Sequence, residues 1–199
     1  MVSLDTNSVF LMPGDYKISQ EPYIISTILG SCVSVCLYHT RHHTGGMNHY
    51  MLPKGKGRAS DNTGKYGDYA ITALIRFMEK TYGSLREVVG MIIGGASMFN
   101  VDNLSGAKIG EQNIALARQM LAEHRIPVIK EQVGGRLGVK LKYRNWDNQI
   151  LVLPIQPTYS PMPEAVEKLA RESFSLASNR LGANPSSPAQ TLARVRRGI

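Results

Sequence analysis

Thr27-Ile28-Leu29-Gly30-Ser31-Cys32-Val33-Ser34-Val35-Cys36-Leu37-Tyr38 is the stretch from which the fold and the chemistry are read. From Val33 to Tyr38, large apolar residues alternate with smaller or amphipathic ones. That period of two predicts a strand. Gly30-Ser31 before it marks a turn, so Cys32 sits at the edge of the element. A nucleophile requires that placement, with backbone N–H groups free nearby to hold an oxyanion. Gly30 and Ser31 are the candidates for that turn. Cys36 lies four positions on, on the same strand face and roughly 13 Å away at about 3.3 Å per residue. That is too far for a disulfide. Flanked by Val35 and Leu37, Cys36 reads as a packing residue.

Gly46 to Leu52 reads as a short partner strand, joined through the loop Arg41-His42-His43-Thr44-Gly45. An antiparallel pairing of the two would bring His49 towards Cys32. An imidazole there can stabilise a thiolate and protonate a leaving group. A third group is needed to orient the ring. Ser26 and Thr27 both offer a hydroxyl, and in an extended segment they point to opposite faces, so only one can serve. His39, His42 and His43, with Cys36 and His49, supply enough ligands for zinc. They lack a C-x-x-C or H-x-x-x-H frame, and His39 to His43 reads as a solvated hairpin loop. No metal or cofactor is expected.

Further strands are expected at Val88 to Ile93 and Pro127 to Val133, ended by Gly94-Gly95 and Gly134-Gly135. Each is a plain strand terminator on sequence alone. Val139 to Tyr143 and Gln149 to Leu153 flank the turn Asn145-Trp146-Asp147-Asn148 and predict a hairpin. Helices are expected over Asp68 to Lys80, capped by Asp68, and over Ile109 to His124. The first carries Ile71, Leu74, Ile75 and Met78 on one face. His124 falls where a cation suits the helix dipole. Strands and helices follow one another without regular βαβ alternation, so the class is α+β.

The 199 residues suit one domain with an extension: 1–154 as the core, and 155–199 as a proline-rich linker, a short helix from Pro163 and a basic tail expected to be disordered. Hydrophobic residues make up 43% and charged residues 19%, a globular balance. No apolar run reaches the ~18 residues of a membrane span. Met1 to Gly14 lacks the pattern of a secretory signal, and two cysteines build no disulfide framework, so a reducing cytoplasm is expected. The formal charge of +8 favours acidic partners. Part of it lies in Lys54-Gly55-Lys56-Gly57-Arg58 and part in Arg194, Arg196 and Arg197. No interleaving of aromatic and basic residues supports nucleic-acid binding.

Leu29-Gly30-Ser31-Cys32-Val33-Ser34-Val35-Cys36-Leu37, followed by Gly45-Gly46-Met47-Asn48-His49-Tyr50-Met51-Leu52-Pro53, closely resembles the CheD family of chemoreceptor glutamine deamidases. Lys65-Tyr66, Gly94-Gly95-Ala96-Ser97-Met98-Phe99, Ile109-Gly110-Glu111-Gln112-Asn113 and Val133-Gly134-Gly135 match in the same order, from about Val9 to Leu153. The resemblance implies hydrolysis of selected glutamine side chains on methyl-accepting chemotaxis receptors, giving glutamates that can be methylated. It implies a fold like that of bacterial toxin deamidases, with layered mixed and antiparallel sheets and flanking helices. The alternative that the resemblance leaves open is a non-catalytic chemotaxis binding module that engages a CheC-type phosphatase or the receptors. The family's cysteine and histidine map onto Cys32 and His49. Its threonine, six positions before the cysteine, maps onto Ser26, with Thr27 adjacent. Gln132 stands where the family has an acidic residue, and Val139-Lys140 where it has an arginine-rich run.

Overall fold

The computed structural model describes residues 7–55, 63–97 and 104–156, with side chains of the last segment described from residue 109. The chain divides into two units, Met1–Pro157 and Thr158–Ile199. The described residues belong to the first. The expected helix from Pro163 and the tail lie outside them, as does most of the Lys54–Arg58 loop.

Nine strands and two helices follow in the order β1 (Asn7–Phe10), β2 (Tyr16–Ser19), β3 (Tyr23–Leu29), β4 (Val33–His39), β5 (Thr44–Asn48), α1 (Gly67–Tyr82), β6 (Val88–Gly94), α2 (Leu104–Glu123), β7 (Val128–Val133), β8 (Val139–Arg144) and β9 (Gln149–Pro154). They build two mixed sheets, ordered β1-β3-β8-β9 and β2-β5-β4-β6-β7. The architecture is α+β, with layered sheets and helices on one side.

Strand parity explains the layering. Val33, Val35 and Leu37 pack with Ile71, Leu74 and Ile75 of α1 and Ala117 and Leu121 of α2. Cys36 and Met47, from the opposite face of the same sheet, pack with Ile25, Leu29, Leu141 and Tyr143 of the other sheet. The second sheet is therefore covered twice, and every residue of β4 is buried. Each fully buried aliphatic side chain contributes roughly 1.5–3 kcal/mol. Close packing also explains Gly45, where a Cβ would run into the Tyr143 hydroxyl.

The expected strands from Val33 onward and the β8–β9 hairpin are present. The first three strands are not in the sequence reading. β1 and β2 are four residues each and β1 is mostly exposed, while β3 is apolar on both faces, so none of them shows a clean period of two. The partner strand β5 begins earlier than expected and ends at Asn48, with single bridges continuing at Tyr50 and Leu52. Helix α1 keeps its apolar face but is capped at Tyr66, without a side-chain hydrogen bond. Asp68 instead lies in its first turn and accepts from the N–H of Tyr69. Helix α2 starts five residues before Ile109. His124 follows its last residue and uses Nδ1 on the Met120 carbonyl at 2.9 Å.

Candidate active site

Cys32 lies where the chain crosses from one sheet to the other. β3 belongs to the first sheet and β4 to the second, so Gly30-Ser31-Cys32 is the crossing turn. Two backbone bonds pin it to the end of β6: Gly95 N–H donates to the Cys32 carbonyl at 2.7 Å, and Ala96 N–H to that of Gly30 at 2.8 Å. Gly94 has φ +107°, and a Cβ there would collide with the Cys32 carbonyl oxygen. Gly134 N–H donates to the Gly94 carbonyl at 2.9 Å. The two diglycine turns thus meet each other, and one of them holds the cysteine turn. Read from sequence, they were strand ends.

His49 reaches the same place from β5. The β4–β5 ladder pairs Cys36 with Met47, and the bridge between Val33 and Tyr50 continues that register. Cys32, Ser34 and His49 therefore share the face turned towards the first sheet, with His49 diagonal to Cys32 and within side-chain reach. The His49 backbone is tied on both sides. Its N–H donates to the Asp15 carbonyl at 2.9 Å, and its carbonyl accepts from Gly14 N–H at 2.8 Å.

The two hydroxyls separate cleanly. Ser26 is partly buried and its Oγ donates to the Val9 carbonyl at 3.3 Å. Thr27 is fully buried, points from β3 across to the second sheet, and lies 2.8 Å from His49 Nδ1. Its Oγ1 also donates to the Leu11 carbonyl at 2.8 Å. A hydroxyl has one proton to give, and a carbonyl can only accept. Thr27 must therefore accept from Nδ1–H of His49. This tautomer leaves Nε2 bare, and that buried atom has no hydrogen-bond partner.

Burial sets the charge states. It pushes the half-buried Cys32 thiol above its usual value, and the hydrogen bond from its own backbone N–H offsets part of the rise. Burial also holds His49 below the ordinary imidazole range, against weaker opposing effects of the Leu11 backbone and the Asp15 charge. Both shifts favour the uncharged forms of the thiol and the imidazole over a thiolate–imidazolium pair. Cys36 is buried among apolar side chains, where desolvation raises its thiol far out of the reactive range.

Asn113 was not picked out from the sequence as a functional residue. This buried residue of α2 donates through Nδ2 to the carbonyls of Ser31, at 3.1 Å, and Met51, at 2.9 Å. It latches the cysteine turn to the histidine segment. Its own carbonyl accepts from the Tyr50 hydroxyl at 2.7 Å. The signal was present, since Asn113 is a polar residue one turn before Ala117 on the apolar stripe of a helix.

His39, His42 and His43 stand apart, at the far end of β4. His39 is buried, not solvated as its loop reading expects, because it packs at 4.5 Å against Tyr82, on which His42 also stacks. His43 Nδ1 lies 2.8 Å from the Tyr38 hydroxyl. No group of three or more His, Cys, Asp or Glu side chains able to hold a metal occurs among the described residues. No helix among them is long and apolar enough to cross a membrane.

A thiol on a tight turn, an oriented imidazole and a buried hydroxyl form an arrangement suited to nucleophilic acyl transfer. Comparison with known proteins gives the family. Residues 51–153 match the family model described as CheD chemotactic sensory transduction. A protein of Sulfurimonas denitrificans is 38% identical over 143 residues, covering 71% of this chain and 90% of that protein. One of Trichlorobacter lovleyi is 41% identical over 134 residues, covering 66% and 81%. One of Methanococcus maripaludis is 32% identical over 139 residues, covering 70% and 90%. All three carry the name "Probable chemoreceptor glutamine deamidase CheD". The chain belongs to the CheD family.

Proposed function

We propose that this protein hydrolyses glutamine side chains of chemotaxis receptors to glutamate, with Cys32 as nucleophile, His49 as general base and acid, and Thr27 as the group that orients His49. The observation that carries the reading is the bond between Thr27 and His49 Nδ1, which leaves a bare Nε2 on the strand face that also holds Cys32. The names of the relatives supply the substrate class.

The reaction begins from the neutral pair. As the Cys32 sulfur adds to the carboxamide carbon, its proton passes to His49 Nε2. The oxyanion is held by backbone N–H groups of the Gly30-Ser31-Cys32 turn, including that of Cys32, which already lies against its own thiol. Imidazolium then protonates the departing amine, ammonia leaves, and a thioester remains. Water, deprotonated by neutral His49, attacks the thioester and releases glutamate and free thiol. No step needs a metal or an organic cofactor. Threonine is a neutral partner, so it fixes the ring without favouring its charged form, in keeping with the depressed His49 pKa.

The activity is assigned to 1–154, with 155–199 as an extension, and to the cytoplasm. The architecture is read as that of the toxin-type deamidases. The test is mass spectrometry of a soluble receptor fragment incubated with the protein. Glutamine-to-glutamate conversion at defined positions, absent with Cys32→Ala, is expected. No conversion by the wild-type chain would sink the reading.

A further inference from the structure

The outer face of the first sheet is unlike the rest of the surface. Ladder register fixes its layout. Phe10, Ser26, Lys142 and Leu151 form one row across the four strands. Ile28, Lys140 and Leu153 form the next, and Ile24, Arg144 and Gln149 the row on the other side. Phe10 (47% exposed), Ile28 (49%), Leu151 (51%) and Leu153 (46%) are among the most exposed large apolar side chains of the described residues. Between them runs a column of cations along β8. Arg144 is paired with Asp147, whereas Lys140 and Lys142 enter no ion pair among the described residues.

The face ends at the strand terminus that leads into the candidate active site. The Ile28 row is the last before Leu29-Gly30-Ser31-Cys32 crosses to the other sheet. Beyond that row the exposed Ile155 donates its N–H to Gly138, and a Cβ on Gly138 would lie 3.1 Å from the Leu29 carbonyl. Exposed apolar side chains on both sides of a column of cations form a surface suited to a partner with an apolar stripe beside acidic groups.

We propose that this face docks the acidic, amphipathic segment of the substrate receptor that flanks the target glutamine. The inference rests on the deamidase reading above. One side chain in the site cannot tell one glutamine from another, so selection must come from contacts beyond the carboxamide. The apolar columns match an apolar stripe, and Lys140 and Lys142 match carboxylates beside it. Each deamidation adds such a carboxylate, so the lysines favour segments already partly converted.

The test uses the full chain and two double variants, Lys140→Glu with Lys142→Glu, and Leu151→Ser with Leu153→Ser. Ammonia release from a soluble receptor fragment should lose about tenfold or more in kcat/KM, mainly through KM, in keeping with the loss of steering charges and of apolar contact. Wild-type turnover should weaken with added salt, and in the lysine-to-glutamate variant that dependence should vanish or change sign, because salt then screens a repulsion. Lys140→Arg with Lys142→Arg should restore the wild-type dependence. Alkylation of Cys32 by iodoacetamide should be unchanged, which reports an intact site. Unchanged kcat/KM in both variants overturns the inference, as does an equal fall in alkylation. Loss of binding to phosphatidylglycerol vesicles with fragment turnover intact would assign the face to a membrane instead. Failure of a maleimide to label Leu151→Cys in the free chain would show that another part of the chain covers it, and would also overturn the inference. A wild-type chain inactive on the fragment removes the deamidase reading itself, and this inference with it.

Discussion

Thr27 Oγ1 lies 2.8 Å from His49 Nδ1 and gives its own proton to the Leu11 carbonyl, so one buried hydroxyl decides the tautomer of the imidazole. The bond also spans the two sheets, since Thr27 belongs to β3 and His49 follows β5. An orienting role for Thr27 therefore ties the chemistry to the packing of the layers.

Thr27→Ala should lower kcat for receptor deamidation by roughly 10- to 100-fold, the order expected when a catalytic group loses its orientation. Thr27→Ser keeps the hydroxyl and should recover much of the rate. Ser26→Ala removes only a long bond to the Val9 carbonyl and should stay within about threefold, since surface-type polar losses are small. Steady-state ammonia release on the three variants checks this. A Thr27→Ala enzyme as fast as wild type would exclude Thr27, and a slow Ser26→Ala enzyme would point to its neighbour.

The two cysteines should behave oppositely. Cys32→Ala should abolish turnover with little loss of stability. Cys36→Ala should stay within a few-fold in rate but cost about 1 kcal/mol in unfolding free energy, as a small deletion in a packed core does. Iodoacetamide should label Cys32 and spare Cys36 in the native chain. The labelling rate of Cys32 should climb with pH past the ~8.5 of a free thiol, because burial raises its pKa. An inflection well below that value would reveal a preformed thiolate–imidazolium pair and contradict the neutral resting state.

Much of this site was legible from two short motifs. Turn residues before Cys32 and the strand pattern after it place the thiol at an element edge, and a return strand places His49 alongside. The choice between Ser26 and Thr27 was not legible. It depends on which face of β3 turns inward, and β3 shows no clean alternation because Ile24, Ile25, Ile28 and Leu29 are apolar on both faces. The resemblance to the family, whose threonine stands six positions before the cysteine, implies Ser26, whereas the ladder faces Thr27 inward with Ile25 and Leu29. The ties from Gly95 to Cys32 and from Asn113 to Ser31 join residues far apart in sequence, and no local pattern announces them.

Acid should destabilise the fold through its depressed histidines. Burial holds both His49 and His39 below the ordinary value of about 6.5. Between their folded values and about 6.5, the unfolded chain binds more protons than the folded one, so stability rises with pH in that window. The contribution is complete above about 6.5 and is lost as pH falls through that value towards the folded pKa of each ring. Calorimetric Tm should therefore fall from pH 7.5 to pH 5, roughly the range the unfolded imidazole titrates. His49→Gln should make that fall shallower. A flat profile, or an unchanged slope in His49→Gln, would show that His49 is not held neutral by the fold.

Asn113 should act on the reaction without touching the substrate. Its amide donates to Ser31 on the cysteine side and to Met51 on the histidine side, so it fixes the spacing of the two segments. Asn113→Asp keeps the shape but sets acceptors against two carbonyl oxygens, and should cost about 2–3 kcal/mol in stability, the penalty for unpaired buried polar groups. Asn113→Ala removes the latch while leaving those carbonyls unsatisfied. At a temperature where the variant is fully folded, kcat should fall by roughly 10-fold or more, because a misplacement of even 1 Å is costly to a positioned pair. KM should change little, and Cys32 alkylation should speed up as the turn loosens. A stability loss with kcat intact would make Asn113 purely structural. Equal losses in kcat and KM-based binding would place it against the substrate instead.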